Sequence, residues 1–244
     1  MEHWIILPVA TLAAGFLRGV TGFGFALAAV PLYSMVVPPQ FAVIMVQILQ
    51  IAVAPVDIYH NRKTIDRPAL KLLFLGALIG APLGAIFAAG LSPDVMRILI
   101  AIFVFIGLIA IAKKLTFRSG RRPAIIAGAI AGLLAGIAAM PGPAAVAYFL
   151  GTGADKATSR SSLLVFFAGT AVFVLTTVLL TSDIATLDML YAAILSLPAL
   201  LLGTHLGTLL FRRLGDGGYR MMALGVMFLT AVVTGAKGLE GLIQ

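Results

Sequence analysis

The chain has no cysteine, one tryptophan and only nine acidic residues in 244. Without cysteine there is no disulfide, no thiolate metal ligand and no thiol nucleophile. Charged residues make up 11% of the sequence and hydrophobic residues 61%, where an ordinary soluble domain has about 25% and about 45–50%. A water-soluble fold of this size could not cover its surface with so few charges. The chain, with a mean hydropathy of +1.11, therefore reads as a multi-pass membrane protein. No basic stretch precedes the first apolar run, so no cleavable leader is expected. The scarcity of acids also bears on catalysis. Only Asp57 falls close to an apolar core, and there is neither an intramembrane aspartate pair nor a His-Glu-x-x-His motif. The expectation is a non-enzyme with no cofactor and no metal.

The net charge of +8 does not point to nucleic acid, because Lys and Arg sit in short clusters between long apolar runs. That is the pattern of the positive-inside effect. The apolar segments are Trp4–Val37, Phe41–Tyr59, Ala69–Leu91, Val95–Ala112, Pro123–Leu150, Ser161–Leu180, Leu187–Phe211 and Met221–Ala236. Six have the length of one membrane span. Trp4–Val37 and Pro123–Leu150 would be about 51 Å and about 42 Å long as single helices, too long for a hydrocarbon core of about 30 Å. Each carries a break: Arg18-Gly19-Val20-Thr21-Gly22-Phe23-Gly24-Phe25 in the first, Gly136-Ile137-Ala138-Ala139-Met140-Pro141-Gly142-Pro143 in the second.

The two halves resemble each other. Ala14-Gly15 through Gly19 lies over Ala131-Gly132 through Gly136, and Gly80 through Gly84 lies over Gly203 through Gly207. In the same register Arg97 falls on Arg220 and Lys114 on Lys237. If all eight segments cross once, the loop cations split ten to six between the two sides. If each long segment enters, breaks and returns, the split becomes fourteen to two, with Arg97 and Lys237 opposed. The second arrangement satisfies the positive-inside rule far better. It gives an all-α membrane protein of two inverted repeats, residues 1–117 and 118–244. Each has one broken, re-entrant helical hairpin and three transmembrane helices. Broken tips meeting at mid-depth are the arrangement of secondary transporters.

Gly19-Val20-Thr21-Gly22-Phe23-Gly24-Phe25-Ala26-Leu27 followed by Pro31-Leu32 resembles the first repeat motif of the sulfite exporter TauE/SafE family, also called the toluene sulfonate uptake permeases. Ala139-Met140-Pro141-Gly142-Pro143 resembles a second-repeat motif of one branch, as do Asp155-Lys156-Ala157, Arg160, Phe166-Phe167 and Leu197 through Gly203. The resemblance runs over nearly the whole chain. It implies export of organosulfonates or sulfite across the bacterial cytoplasmic (inner) membrane. A passive anion channel and a carrier of carboxylates or other small anions are the alternatives. The partners implied are the anion, the lipid bilayer, a coupling proton or sodium ion and a second copy of the chain. Position 18 departs from the branch pattern, which leads one to expect a neutral polar residue there.

A small anion in low dielectric needs donors and positive potential, and helix N-termini supply both. The candidate substrate residues are Arg18, Thr21, Gly22, Phe23 and Gly24 at the first break, and Met140, Pro141 and Gly142 at the second. The Arg18 guanidinium fork suits a sulfonate or carboxylate bidentately. Its other reading is a cap on a hairpin carbonyl or a contact with water at a cavity mouth. Arg160 reads as a topology determinant or an anion ligand. Gln47 and Gln50, three apart on one helix face, either line a polar path or hydrogen-bond between helices. Asp57, His60 and His205 are the candidates for carrying a coupling proton, although His60 also reads as interfacial and His205 as a helix-packing residue.

Overall fold

A computed structural model of the chain describes residues 3–21, 24–113, 116–182, 184 and 186–211, with isolated helical positions at 228, 232, 236, 239 and 240. Among the described residues there are nine helices and no strand: α1 (His3–Thr21), α2 (Phe25–Ser34), α3 (Pro39–Asn61), α4 (Arg67–Ala89), α5 (Pro93–Ala112), α6 (Arg121–Ala138), α7 (Gly142–Thr152), α8 (Lys156–Thr181) and α9 (Leu187–Phe211). The protein is all-α, and α3, α4, α6 and most of α8 and α9 are long and apolar enough to cross a membrane. The segment Met221–Ala236 and the cations Arg212, Arg213, Arg220 and Lys237 lie outside the described residues, apart from helical positions 228, 232 and 236.

Both long apolar segments divide into two helices. The first becomes α1 and α2, with Gly24 as the N-cap of α2. The second becomes α6 and α7. There Ala139 turns into the left-handed region (φ 57°), and its N–H and that of Met140 bond back to the carbonyls of Ala135 and Leu134 at 2.8 and 3.2 Å. Pro141 follows directly and disfavours helix at Met140. The Phe117 N–H, ahead of α6, donates to the Ala147 carbonyl of α7 at 3.0 Å. The α6–α7 pair thus runs in and comes back on itself. In the first pair, Thr11 of α1 gives its hydroxyl proton to the Leu7 carbonyl (2.6 Å), so the Tyr33 hydroxyl of α2 donates to Thr11 (2.5 Å).

The largest helix contacts join α4 to α6 and α1 to α9. Glycine makes both possible. Gly76, Gly80 and Gly84 on α4 face Gly128, Gly132 and Gly136 on α6. A Cβ built on Gly80 would fall on the Ala129 carbonyl oxygen, and one on Gly128 on that of Leu73. Gly15 and Gly19 on α1 meet α9 at Leu200, Thr204 and Gly207 in the same way, and Gly203 meets Leu12. Numbers rise together along both pairs, so each pair is parallel. With lipid as apolar as leucine, close backbone approach of this kind drives helix association. The opposite face of α4 carries Leu75, Leu78, Ile79, Leu83, Ile86 and Phe87, each more than half exposed. In water such a stripe would be a sticky patch; in a bilayer it faces acyl chains.

Helices α3 and α8 cross through the middle and are antiparallel. At one end Thr64, Asn61 and Ser161 join through their side chains (Thr64 to Ser161 2.7 Å, Ser161 to Asn61 3.3 Å), and Asp66 N–H donates to Ser162 at 2.9 Å. Two carboxylates cap helix starts at this end. Asp66 accepts from Ala69 N–H (3.0 Å) and Asp155 from the N–H and hydroxyl of Thr158 (both 2.8 Å). The Thr158 bonds, the backbone one foremost, hold the Asp155 carboxyl below its ordinary range. This cap is therefore present at neutral pH and is lost only as pH falls through that depressed value.

Gly80→Leu is expected to force α4 and α6 apart and to destabilise the protein by about 1–3 kcal/mol or more. Gly90→Ala, whose added carbon would meet only the Phe87 carbonyl at an ordinary 3.8 Å, should be silent. Thermal unfolding in detergent compares the two, and equal melting temperatures would dismiss the glycine contact as the basis of the packing.

Candidate functional site

The two breaks meet. A pocket between them is lined by Phe25, Ala26 and Leu27 at the start of α2 and by Met140, Pro141 and Gly142 at the start of α7. Arg18 from α1 and Gln50 and Asp57 from α3 complete its polar wall; Leu164, Phe167 and Ala168 of α8 form the apolar one. Ala28 N–H makes the first turn bond of α2, to the Gly24 carbonyl, and Ala145 N–H the first of α7, to that of Pro141. The N–H groups of the residues before them have no partner within the helix, and no side chain caps either start. Pro143 sits in the first turn of α7, where a missing N–H costs nothing. Two positive helix ends thus converge on one point. A Cβ at Gly142 would meet only the Phe167 ring at 3.9 Å, so this glycine opens onto the pocket.

The side chains add to this field. Gln50 is 8% exposed, and its Nε2 has no hydrogen-bond partner. A buried amide left this way is costly, and the group lies at the pocket wall. Arg18 is 7% exposed and forms an ion pair with Asp57. The pocket has a volume of about 20 Å³, enough for about one water molecule.

A second, wider cavity of about 440 Å³ lies beside the first. Arg18 and Asp57 line it as well, so the pair stands between the two spaces. Its remaining polar lining is His60, Asn61, Arg160, Thr204, His205 and Thr208. The Thr204 hydroxyl is buried without a partner, while Thr208 bonds to the Thr204 carbonyl at 2.8 Å. His60 Nδ1 lies 2.8 Å from the Val56 carbonyl, which makes Nδ1 the protonated nitrogen if neutral.

The expected site residues therefore separate. Arg18, Gln50, Asp57, Met140, Pro141 and Gly142 gather at the inner pocket, and His60, Arg160 and His205 at the outer cavity. Gln47 lines neither; its Nε2 donates to the Ala135 carbonyl at 2.9 Å and ties α3 to α6. Gly24 is the N-cap of α2. Gly22, Phe23 and the side chain of Thr21 lie outside the described residues. Within its own apolar segment, Trp4–Val37, Arg18 has no acid to pair with. The structure supplies one from α3, thirty-nine positions on. Asn61, Thr204 and Thr208 were missed, since each is an ordinary helix polar residue in the sequence.

Two outcomes test the local physics. Arg18→Gln and Asp57→Asn should each destabilise the protein, while the double variant should recover part of the loss, with a coupling energy of about 0.5–3 kcal/mol. Strictly additive losses would reject the pair. A left-handed alanine is strained by about 1–2 kcal/mol, so Ala139→Gly should leave stability unchanged or raise it by about 1 kcal/mol. Ala139→Val should lower it. Thermal unfolding that ranks Val above Gly would contradict this conformation.

No curated protein and no solved structure gives a significant match to the chain. A family model does, over residues 7–234. Its span takes in both broken hairpins, the glycine-paired helices and every residue of the two cavities, and it describes membrane transporters. The chain belongs to the sulfite exporter TauE/SafE family.

Proposed function

We propose that the chain is a secondary transporter that exports small sulfur-containing anions, organosulfonates or sulfite, across the cytoplasmic membrane of a bacterium. The family description names sulfite. The observation that carries the reading is the convergence of two helix N-termini, the Arg18 guanidinium and the unpartnered Gln50 amide on one pocket. All of these are donors or positive ends, as a tetrahedral or pyramidal oxyanion requires. The small volume of that pocket favours a carrier over a standing channel, because a pore that conducts passively needs a continuous path. The same donors would also accept a carboxylate, so the substrate screen has to include one.

We further read residues 1–117 and 118–244 as inverted repeats. In support, α1 pairs with α9 and α4 with α6, each time one helix from each half and each time in parallel. Arg118 and Asp155 flank the α6–α7 hairpin. Single cysteines placed at these two positions should be labelled from the same side of the membrane. Labelling from opposite sides would mean that this hairpin crosses, and would reject the inverted arrangement.

Flux into proteoliposomes of sulfite, methanesulfonate, sulfate and acetate, with and without a pH gradient, tests the function itself. Saturable uptake of at least one sulfur oxyanion is expected. Gly142→Leu should abolish it by filling the open side of the glycine. Gln50→Leu removes one charge-assisted hydrogen bond, worth about 1.5–3 kcal/mol, so affinity should fall about ten- to a hundredfold. Normal flux in both variants would place the site elsewhere.

A further inference from the structure

We propose that the Asp57 carboxylate is a built-in competitor for the transported anion, that it closes the inner pocket by holding Arg18, and that it takes up a proton when the anion displaces it. This rests on the anion site described under Proposed function, not on the direction of transport, and adds its gate and a proton bound with the anion.

The geometry leads there in three steps. First, Arg18 and Asp57 are the charged residues common to both spaces, one of about 20 Å³ and one of about 440 Å³. An anion arriving through the wide cavity meets this pair before it meets the helix ends or Gln50. Second, Asp57 is the one anionic group among the described residues of the inner pocket, and it occupies the guanidinium that an anion would need. A planar guanidinium fork holding a sulfonate bidentately has to give up its carboxylate partner. Third, the displaced carboxylate has lost its direct counter-charge but not its access to water. Its side chain is 17% exposed, at the wall of the wide cavity. A carboxylate stripped of its partner beside apolar neighbours such as Val53, Val56 and Leu164 favours its neutral form, and the proton comes from water in that cavity.

Among the described residues, the charged and titratable groups that line these spaces with Asp57 are Arg18 of α1, His60 of its own helix α3, Arg160 of α8 and His205 of α9, while α2 and α7 contribute none. They define the competing outcomes. If Arg160 were to take over the carboxylate, the anion would bind without a proton. If His60 or His205 were the acceptor, the proton would be taken up without Asp57.

Methanesulfonate separates these possibilities because it stays a monovalent anion across the working pH range, so any proton consumed belongs to the protein. Calorimetric titration of the purified protein in two buffers of different ionisation heat counts the protons bound with the anion. The parent protein should take up about one proton per anion, and its affinity should rise about tenfold for each unit of decreasing pH. Asp57→Asn should bind methanesulfonate with no proton uptake and a flat pH profile, and more tightly than the parent at alkaline pH. His60→Gln and His205→Gln should keep the uptake. The parent measurement stands even if Asp57→Asn fails to fold. Binding to the parent without a proton overturns the proposal in favour of exchange onto Arg160, and uptake that survives in Asp57→Asn or vanishes in His205→Gln overturns it in favour of the histidine. If methanesulfonate does not bind but sulfite does, the same count is made with sulfite after subtracting its own ionisation. Binding of neither overturns the anion site and this inference with it.

Discussion

Everything at the centre of this protein follows from one constraint: a backbone broken inside an apolar layer must be buried in protein, because lipid offers no partner for a free N–H or C=O. The two breaks satisfy it together. Each presents its helix start to the pocket shared with the other, and each is walled by helices of both halves. Arg18, which alone in lipid would cost several kcal/mol, finds its counter-charge in the same place. The site is therefore not an addition to the fold. It is where the fold's unpaired donors have to go.

The glycine-lined contacts serve that burial. Side chains at Gly80 or Gly136 would hold α4 and α6 apart, and side chains at Gly19 or Gly207 would do the same for α1 and α9. With the backbones in contact, α1 and α6, the first arms of the two hairpins, are each clamped along their length by a long helix of the other half. Rigid first arms leave the short second arms, α2 and α7, as the elements that carry the helix ends to the pocket. The strained residue Ala139 sits at the joint of one of these hairpins, where left-handed backbone lets the chain reverse within two residues.

How much of this could be read from the sequence depended on whether the signal was local. The breaks were legible because glycine and proline act on their own neighbourhood: Gly24 caps α2, and Met140-Pro141 ends any continuation of α6. The glycine repeats were legible as spacing, but their partners were not, since nothing in Gly80-x-x-x-Gly84 says that it will meet the helix carrying Gly132 and Gly136. Gln47 and Gln50 looked equivalent at three residues apart. The small difference in angle around α3 sends one amide to the Ala135 carbonyl and leaves the other at the pocket wall. The Arg18–Asp57 pair was hidden for the same reason. Both residues drew attention singly, and only the tertiary fold, which brings both to one pocket wall, joins them.

The parallel pairing of α1 with α9 also bears on how the chain is made. Helix α1, made before the other described helices, carries a glycine face that is covered by α9, the last long helix described, and a buried arginine whose counter-charge appears only with α3. Until then α1 is a poor lodger in lipid: it has no partner for its charge and no surface to lean on. Its glycine contact therefore closes only once α9, which ends 190 residues after α1, has been made.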